Sequence, residues 1–267
     1  MATPSQQHPP VSKGEPVPAP RAGFWHVVRD SLKGTREDYT SGELSRAIML
    51  LAVPMVLELV MESTFGLVDA YFVGRLGADA VAAVGLTESL IILVFGVAMG
   101  LSMGTTAMVA RRIGEGDEEG ACVAAGQAVL AGVLIAAPVG VVGALLAPRL
   151  LGWMGASPGV AAGWSYTAVL FGGSATIFLL FLNNAIFRGA GDAAIAMRAL
   201  WLSNLINMCL DPCLIFGWGP FPELGLAGAA VATTIGRGIG VVFQFWALST
   251  RGGACALSAG TCGCIGA

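Results

Sequence analysis

The chain has 267 residues, a formal net charge of −3, 55% hydrophobic residues and only 12% charged ones. Its mean hydropathy of +0.76 excludes an ordinary soluble domain, because several of its apolar runs reach the roughly 20 residues that cross a bilayer. Both histidines, His8 and His26, and both lysines, Lys13 and Lys33, precede the first long apolar run. No crossing therefore holds a His or Lys base, which argues against an intramembrane protease or other enzyme.

Residues 1–45 read as a cytoplasmic N-terminal tail, rich in Pro, Gln and Ser up to about residue 22. A basic start followed by a short apolar region is missing, so no cleavable signal peptide is expected. Phe24, Trp25, Val27, Val28 and Leu32, with Arg29 and Lys33 among them, suit either a short interfacial helix or a linker. Thr40 and Glu43 have capping-box spacing and open the first long helix.

An all-α membrane lobe of six crossings is expected over residues 46–250, at about 46–74, 80–110, 120–147, 160–187, 195–218 and 224–249. The first crossing carries Glu58, Glu62 and Asp69, and at 100° per residue these lie within about 40° of one another. An acidic stripe on an apolar helix belongs against a protein interior or a wet cavity. In the second crossing Gly96, Gly100 and Gly104 recur every fourth residue and are expected to form a packing strip. Trp153, in the loop after the third crossing, and Trp164, just inside the fourth, suit a membrane interface. The fifth crossing places Asn204, Asn207 and Asp211 on one face. Pro212 follows and leaves the carbonyl of Met208 without its helical donor. Carboxylate, amides and freed carbonyl together suit a cation or proton.

The sixth crossing contains Thr233, Thr234 and Arg237. Gly236, Gly238 and Gly240 do not complete a dinucleotide loop, lacking both the full spacing and a preceding strand. Arg237 lies too deep to snorkel outward, so a structural ion pair is expected for it, ahead of contact with an anionic group. The final stretch, residues 251–267, is rich in Gly and Cys. Its Cys262 and Cys264 lack the second ligand pair that a metal site needs.

Basic residues are distributed unevenly over the turns. Lys33, Arg36, Arg46, Arg111, Arg112, Arg188, Arg198 and Arg251 fall on one side, whereas Arg75 and Arg149 fall on the other. The positive-inside rule then places both termini in the cytoplasm, in a multi-pass plasma-membrane protein. Asp69 and Asp211 fall at matching depths, roughly 10 Å below the outer boundary by helical rise.

The run from Asp38 to Met55, with LVDAYFVGRLGADAVAAVG, FRGAGD, NLINMCLDP and PELGLAGAAVAT after it, resembles the multidrug and toxic compound extrusion (MATE) transporters over about residues 38–250. The resemblance is to the DinF-like branch and covers one six-helix lobe of a two-lobe, twelve-helix fold. It implies a coupling-ion site, for H⁺ or Na⁺, at Asp69, Asn207, Asp211 and Thr233, with no other cofactor. Glu58, Glu62 and Asn204 are further candidates for the substrate cavity. What it implies of function is antiport of amphipathic, often cationic, drug-like compounds across a lipid bilayer, with a second lobe or second copy as partner and no nucleic acid. The tail reads as a truncation or frameshift scar, so a transport-inactive fragment is one alternative. A lipid-linked-precursor flippase of the same superfamily is another, although such cavities are usually lined by several basic groups and here only Arg237 is deep.

Overall fold

A computed structural model gives the fold of residues 44–251, with side chains described for 48–250. The helices are α1 (Leu44–Gly74), α2 (Ala78–Gly114), α3 (Glu118–Trp153), α4 (Pro158–Ala161), α5 (Trp164–Gly172), α6 (Ser174–Gly189), α7 (Ala193–Phe216) and α8 (Leu226–Arg251). Among the described residues six segments are long and apolar enough to cross a membrane, with α4, α5 and α6 together making the fourth. The capping box, the segment around Phe24 and the tail beyond Arg251 lie outside the described residues.

Short capped turns join the crossings. Asp117 accepts a hydrogen bond from the backbone N–H of Gly120 at 2.8 Å, and Asp192 accepts one from that of Ile195 at 3.3 Å, so each aspartate satisfies an orphan N–H donor of the next helix. The end of α7 is closed differently. Gly217 sits at φ 69°, where a side chain would be strained, and Trp218 N–H donates to the Cys213 carbonyl. Leu224 and Gly225 then donate to the carbonyls of Leu214 and Ile215, folding the turn back over the last helical residues.

The fourth crossing is the most enclosed of the six. It was expected as one helix over 160–187, but it is interrupted at Ala162–Gly163 and again at Gly173. At Gly173 an added Cβ would stand 2.7 Å from Thr234 Oγ1, so the break lies where α8 passes directly against the backbone. Tyr166, Leu170, Phe171, Ile177 and Phe178 of this crossing form the core with Ile91 and Val94 of α2. The third crossing also departs from its expected end near 147: α3 continues through Pro148 to Trp153, which is therefore helical and exposed.

Small residues let helices approach, although not the ones expected. The buried face of α2 runs through Ala83, Thr87, Ile91, Val94, Ala98, Ser102, Thr105 and Val109. Gly96, Gly100 and Gly104 lie on the opposite side, exposed, with nothing within 4 Å of an added Cβ. Close approach occurs instead between α7 and α8, the most extensively packed pair. A Cβ on Gly236 would stand 2.7 Å from the Ser203 carbonyl oxygen and 3.1 Å from the Cβ of Asn207. Gly236→Ala is therefore expected to destabilise the lobe by roughly 1–3 kcal/mol through overpacking. Gly100→Ala should be neutral or stabilising, since Ala is the better helix former by about 1 kcal/mol. Thermal unfolding in detergent checks this, and equal effects at the two sites would contradict the assigned packing face.

α1 packs chiefly on α7 and hardly on α2. That asymmetry leaves a cleft among α1, α2, α5 and α8. Elsewhere the outer surface is apolar, with Leu59, Leu67, Leu93, Met103, Leu134 and Leu145 exposed, as suits helices whose solvent is lipid.

Candidate functional site

The cleft has a volume of about 360 Å³, and its polar lining is Glu62 and Asp69 from α1, Glu88 from α2, Tyr166 from α5, and Thr233 and Arg237 from α8. Glu62 and Asp69 are two helical turns apart and so share a face, while the thin contact between α1 and α2 leaves that face open. Glu62 is anchored there by Asn204, whose Nδ2 donates to Glu62 Oε2 at 3.0 Å.

From the cleft wall inward toward α7 lies a set of oxygens. Asp69 sits five residues before Gly74 at the end of α1, and Asp211 sits five before Phe216 at the end of α7. The charge of Asp69 acts on Asp211. Asp211 is fully buried, and neither carboxylate oxygen has a hydrogen-bond partner. Asp69 Oδ1 and Asn207 Oδ1 are likewise buried without partners. The available donors are already committed. Asn207 Nδ2 donates to Thr233 Oγ1 at 2.8 Å, and the Thr233 hydroxyl donates to the Ala229 carbonyl at 2.9 Å. What remains is a set of acceptors: two carboxylates and an amide oxygen. Buried acceptors are satisfied by a proton, a cation or a water.

The structure thus brings Asp69, Asn207, Asp211 and Thr233 to one region, at the junction of the cleft with the α7–α8 contact. Glu62 lines the cleft and Asn204 supports it from α7. Glu58 does not line it. It is 6% exposed and forms an ion pair with Arg188 at the end of α6, so the acidic stripe of α1 divides into one paired, one hydrogen-bonded and one orphaned carboxyl group. Arg237 also departs from expectation. Among the described residues it makes no ion pair, although Glu62, Glu88 and Asp69 act on it electrostatically, and its guanidinium lies 5.5 Å from the centre of the Phe95 ring. Among the described residues no group of three or more His, Cys, Asp or Glu side chains is placed to hold a metal ion.

Sequence reasoning missed Tyr166. It is 4% exposed, lines the cleft, and lies within electrostatic reach of Asp69, Glu88, Arg237 and Asp211 together. A phenol inside the fourth crossing, two residues after Trp164, was the available signal, and the neighbouring tryptophan made it look interfacial.

The MatE family model matches residues 54–213. Among curated relatives, the chain is 33% identical over 204 residues to the probable multidrug resistance protein NorM of Thermotoga maritima, which covers 74% of this chain and 43% of that protein. It is 29% identical over 199 residues to the FAD transporter of Shewanella oneidensis, covering 74% and 44% respectively. Among solved structures, it is similar to the outward-facing conformation of a multidrug resistance MATE family transporter of the MOP superfamily, with TM-score 0.74, 29% identity, and coverage of 85% of this chain and 48% of that one. A MOP superfamily transporter from Pyrococcus furiosus, for which a binding pocket of reverse polarity is described, gives TM-score 0.73 and 30% identity over 83% of this chain and 47% of that one. The chain spans about half the length of the curated relatives it matches.

Proposed function

The chain belongs to the MatE family, whose members are membrane transporters and not enzymes, and on that premise we propose that it forms the N-terminal lobe of a cation-coupled exporter of amphipathic compounds. The observation that carries this reading is the cluster of buried acceptor oxygens on Asp69, Asn207 and Asp211 beside an open cleft. An orphaned carboxylate at membrane depth is stabilised when a cation or proton arrives, so occupancy can bias the lobe between two arrangements. Sodium would be held by oxygens of Asp69, Asp211, Asn207 and Thr233. A proton would reside on the carboxyl pair. Alternating access requires a second bundle, a second lobe or a second copy of this chain, to rock against this one.

The purified chain distinguishes the two ions. At constant ionic strength, sodium coupling should raise the melting temperature in NaCl relative to choline chloride, because a ligand bound only by the folded state stabilises it by about 2.7 kcal/mol at a hundred times its Kd. The rise should vanish in Asp69→Asn and Asp211→Asn. Proton coupling should instead release protons on binding a cationic dye, read with a pH indicator, and both variants should abolish the release. If the wild-type chain shows neither response, a coupling role for the cluster is refuted.

The turns alternate between two ends of the bundle. Arg111, Arg112, Arg188 and Arg198 lie at one end and Arg75 and Arg149 at the other. The proposed orientation puts the first of these ends in the cytoplasm. A single cysteine at Glu119, in a cysteine-free background, should resist an impermeant maleimide in intact cells and react once they are opened. Labelling from outside alone would reverse the topology.

A further inference from the structure

Among the residues lining the cleft Arg237 is the only basic one, and cation coupling does not use it. α8 turns Gly236 and Gly240 toward α7, which places Arg237 on the adjoining flank, in the cleft wall. A guanidinium has five N–H donors and no acceptor. Here one face is engaged over the Phe95 ring, which leaves the donor edge for another partner. No carboxylate among the described residues takes that edge, although three surround it. Its charge is therefore balanced by the acids at a distance, while its hydrogen-bonding capacity is uncommitted. Glu88 is in the matching state: it faces the cleft, is exposed, and makes no hydrogen bond among the described residues. Glu62, by contrast, is tied to Asn204. The rings of Phe65, Phe95 and Tyr166 line the space with these groups.

Building on the exporter reading, we propose that Arg237 is an anion-binding group, and that the cleft selects zwitterionic amphiphiles, with the ligand's carboxylate on Arg237 and its cationic part facing Glu88. A purely cationic ligand meets the acids but also the repulsion of Arg237. A ligand that carries its own carboxylate turns that repulsion into a charge-assisted, fork-shaped contact. A guanidinium that served only to neutralise the acids would show no such discrimination.

Tetramethylrhodamine and its methyl ester test this, since they share a ring system and differ only in a free carboxylate. Binding to the purified 267-residue chain in detergent is read by fluorescence polarisation. The wild-type chain should bind the zwitterion more tightly than the ester. Arg237→Gln should weaken the zwitterion by about ten- to hundredfold, the range of a hydrogen bond to a charged group, and leave the ester unchanged or tighter. Arg237→Lys, which keeps the charge and loses the fork, should fall between. Glu88→Gln should weaken both dyes alike and preserve their ratio, which keeps the proposal decidable if Arg237→Gln is not monodisperse. An equal loss of both dyes in Arg237→Gln, a wild-type preference for the ester, or collapse of the ratio in Glu88→Gln would overturn this inference and leave the exporter reading standing. If the wild-type chain binds neither dye, the cleft is not a substrate site, and both readings fall together.

Discussion

Asp211→Asn is expected to abolish driven export by a chain completed with its second lobe, while raising the melting temperature of the lobe itself. The two effects share one cause. Asp211 is fully buried, both of its carboxylate oxygens lack partners, and the charge of Asp69 acts on it. Burying such a group is costly unless it is paired, so its presence lowers stability. Asparagine keeps the shape, removes the charge, and adds an N–H₂ that can donate to the orphaned oxygens of Asp69 and Asn207. What it cannot do is take up and release a cation. Asp69→Asn should behave similarly but with a smaller gain in stability, because only one of its oxygens is buried without a partner. Export in everted vesicles and unfolding of the detergent-solubilised protein measure the two sides separately. Near-normal export by both variants would remove the carboxyl pair from the mechanism, and a large drop in melting temperature would give it a structural role instead.

The six crossings were legible because apolar length and charged or glycine-bearing turns are local properties. The acidic stripe of α1 was legible for the same reason, since a helix repeats its face every three or four residues. What each member of the stripe does was not. Glu58 meets Arg188 across 130 residues of sequence, and nothing near either residue announces the pairing. The glycine strip of α2 failed for a different reason. A helix in lipid is apolar on both its protein and its lipid face, so periodicity finds the small residues without telling which way they point. Spacing put Asn207 and Asp211 on one face, but Thr233 joined them only through family resemblance, because the close approach of α7 and α8 at Gly228, Gly236 and Gly240 is a tertiary contact that no local pattern announces. Tyr166 was invisible until α5 was seen to separate from α6 at Gly173 and the phenol to reach the cleft.

The second large effect is expected at the Glu58–Arg188 pair, which fastens the N-terminal half of α1 to the corner between α6 and α7. Two further contacts act nearby: Trp201 Nε1 donates to the Leu57 carbonyl at 3.3 Å, and Asn204 holds Glu62 one turn on. The side chain of Glu58 is 8% exposed and that of Arg188 is 28% exposed. Removing one partner of a buried pair costs about 3–5 kcal/mol, most of it from the charge left behind. The two removals are therefore unequal. Arg188→Leu strands the more enclosed carboxylate and should approach the upper end of that range. Glu58→Leu leaves an arginine in the last turn of α6, where it can reach toward the membrane surface, and should cost less. The pair is also incompletely satisfied, since Glu58 Oε1 and Arg188 Nε are buried without partners. Replacing both residues with leucine should thus recover most of the loss, because a well-packed apolar pair stands in for a half-satisfied ionic one. A double-mutant cycle on thermal unfolding in detergent gives the coupling directly. If Arg188→Leu alone is harmless, the pair does not hold α1 in place, and the cleft beside that helix must be maintained by its contacts with Trp201 and Asn204.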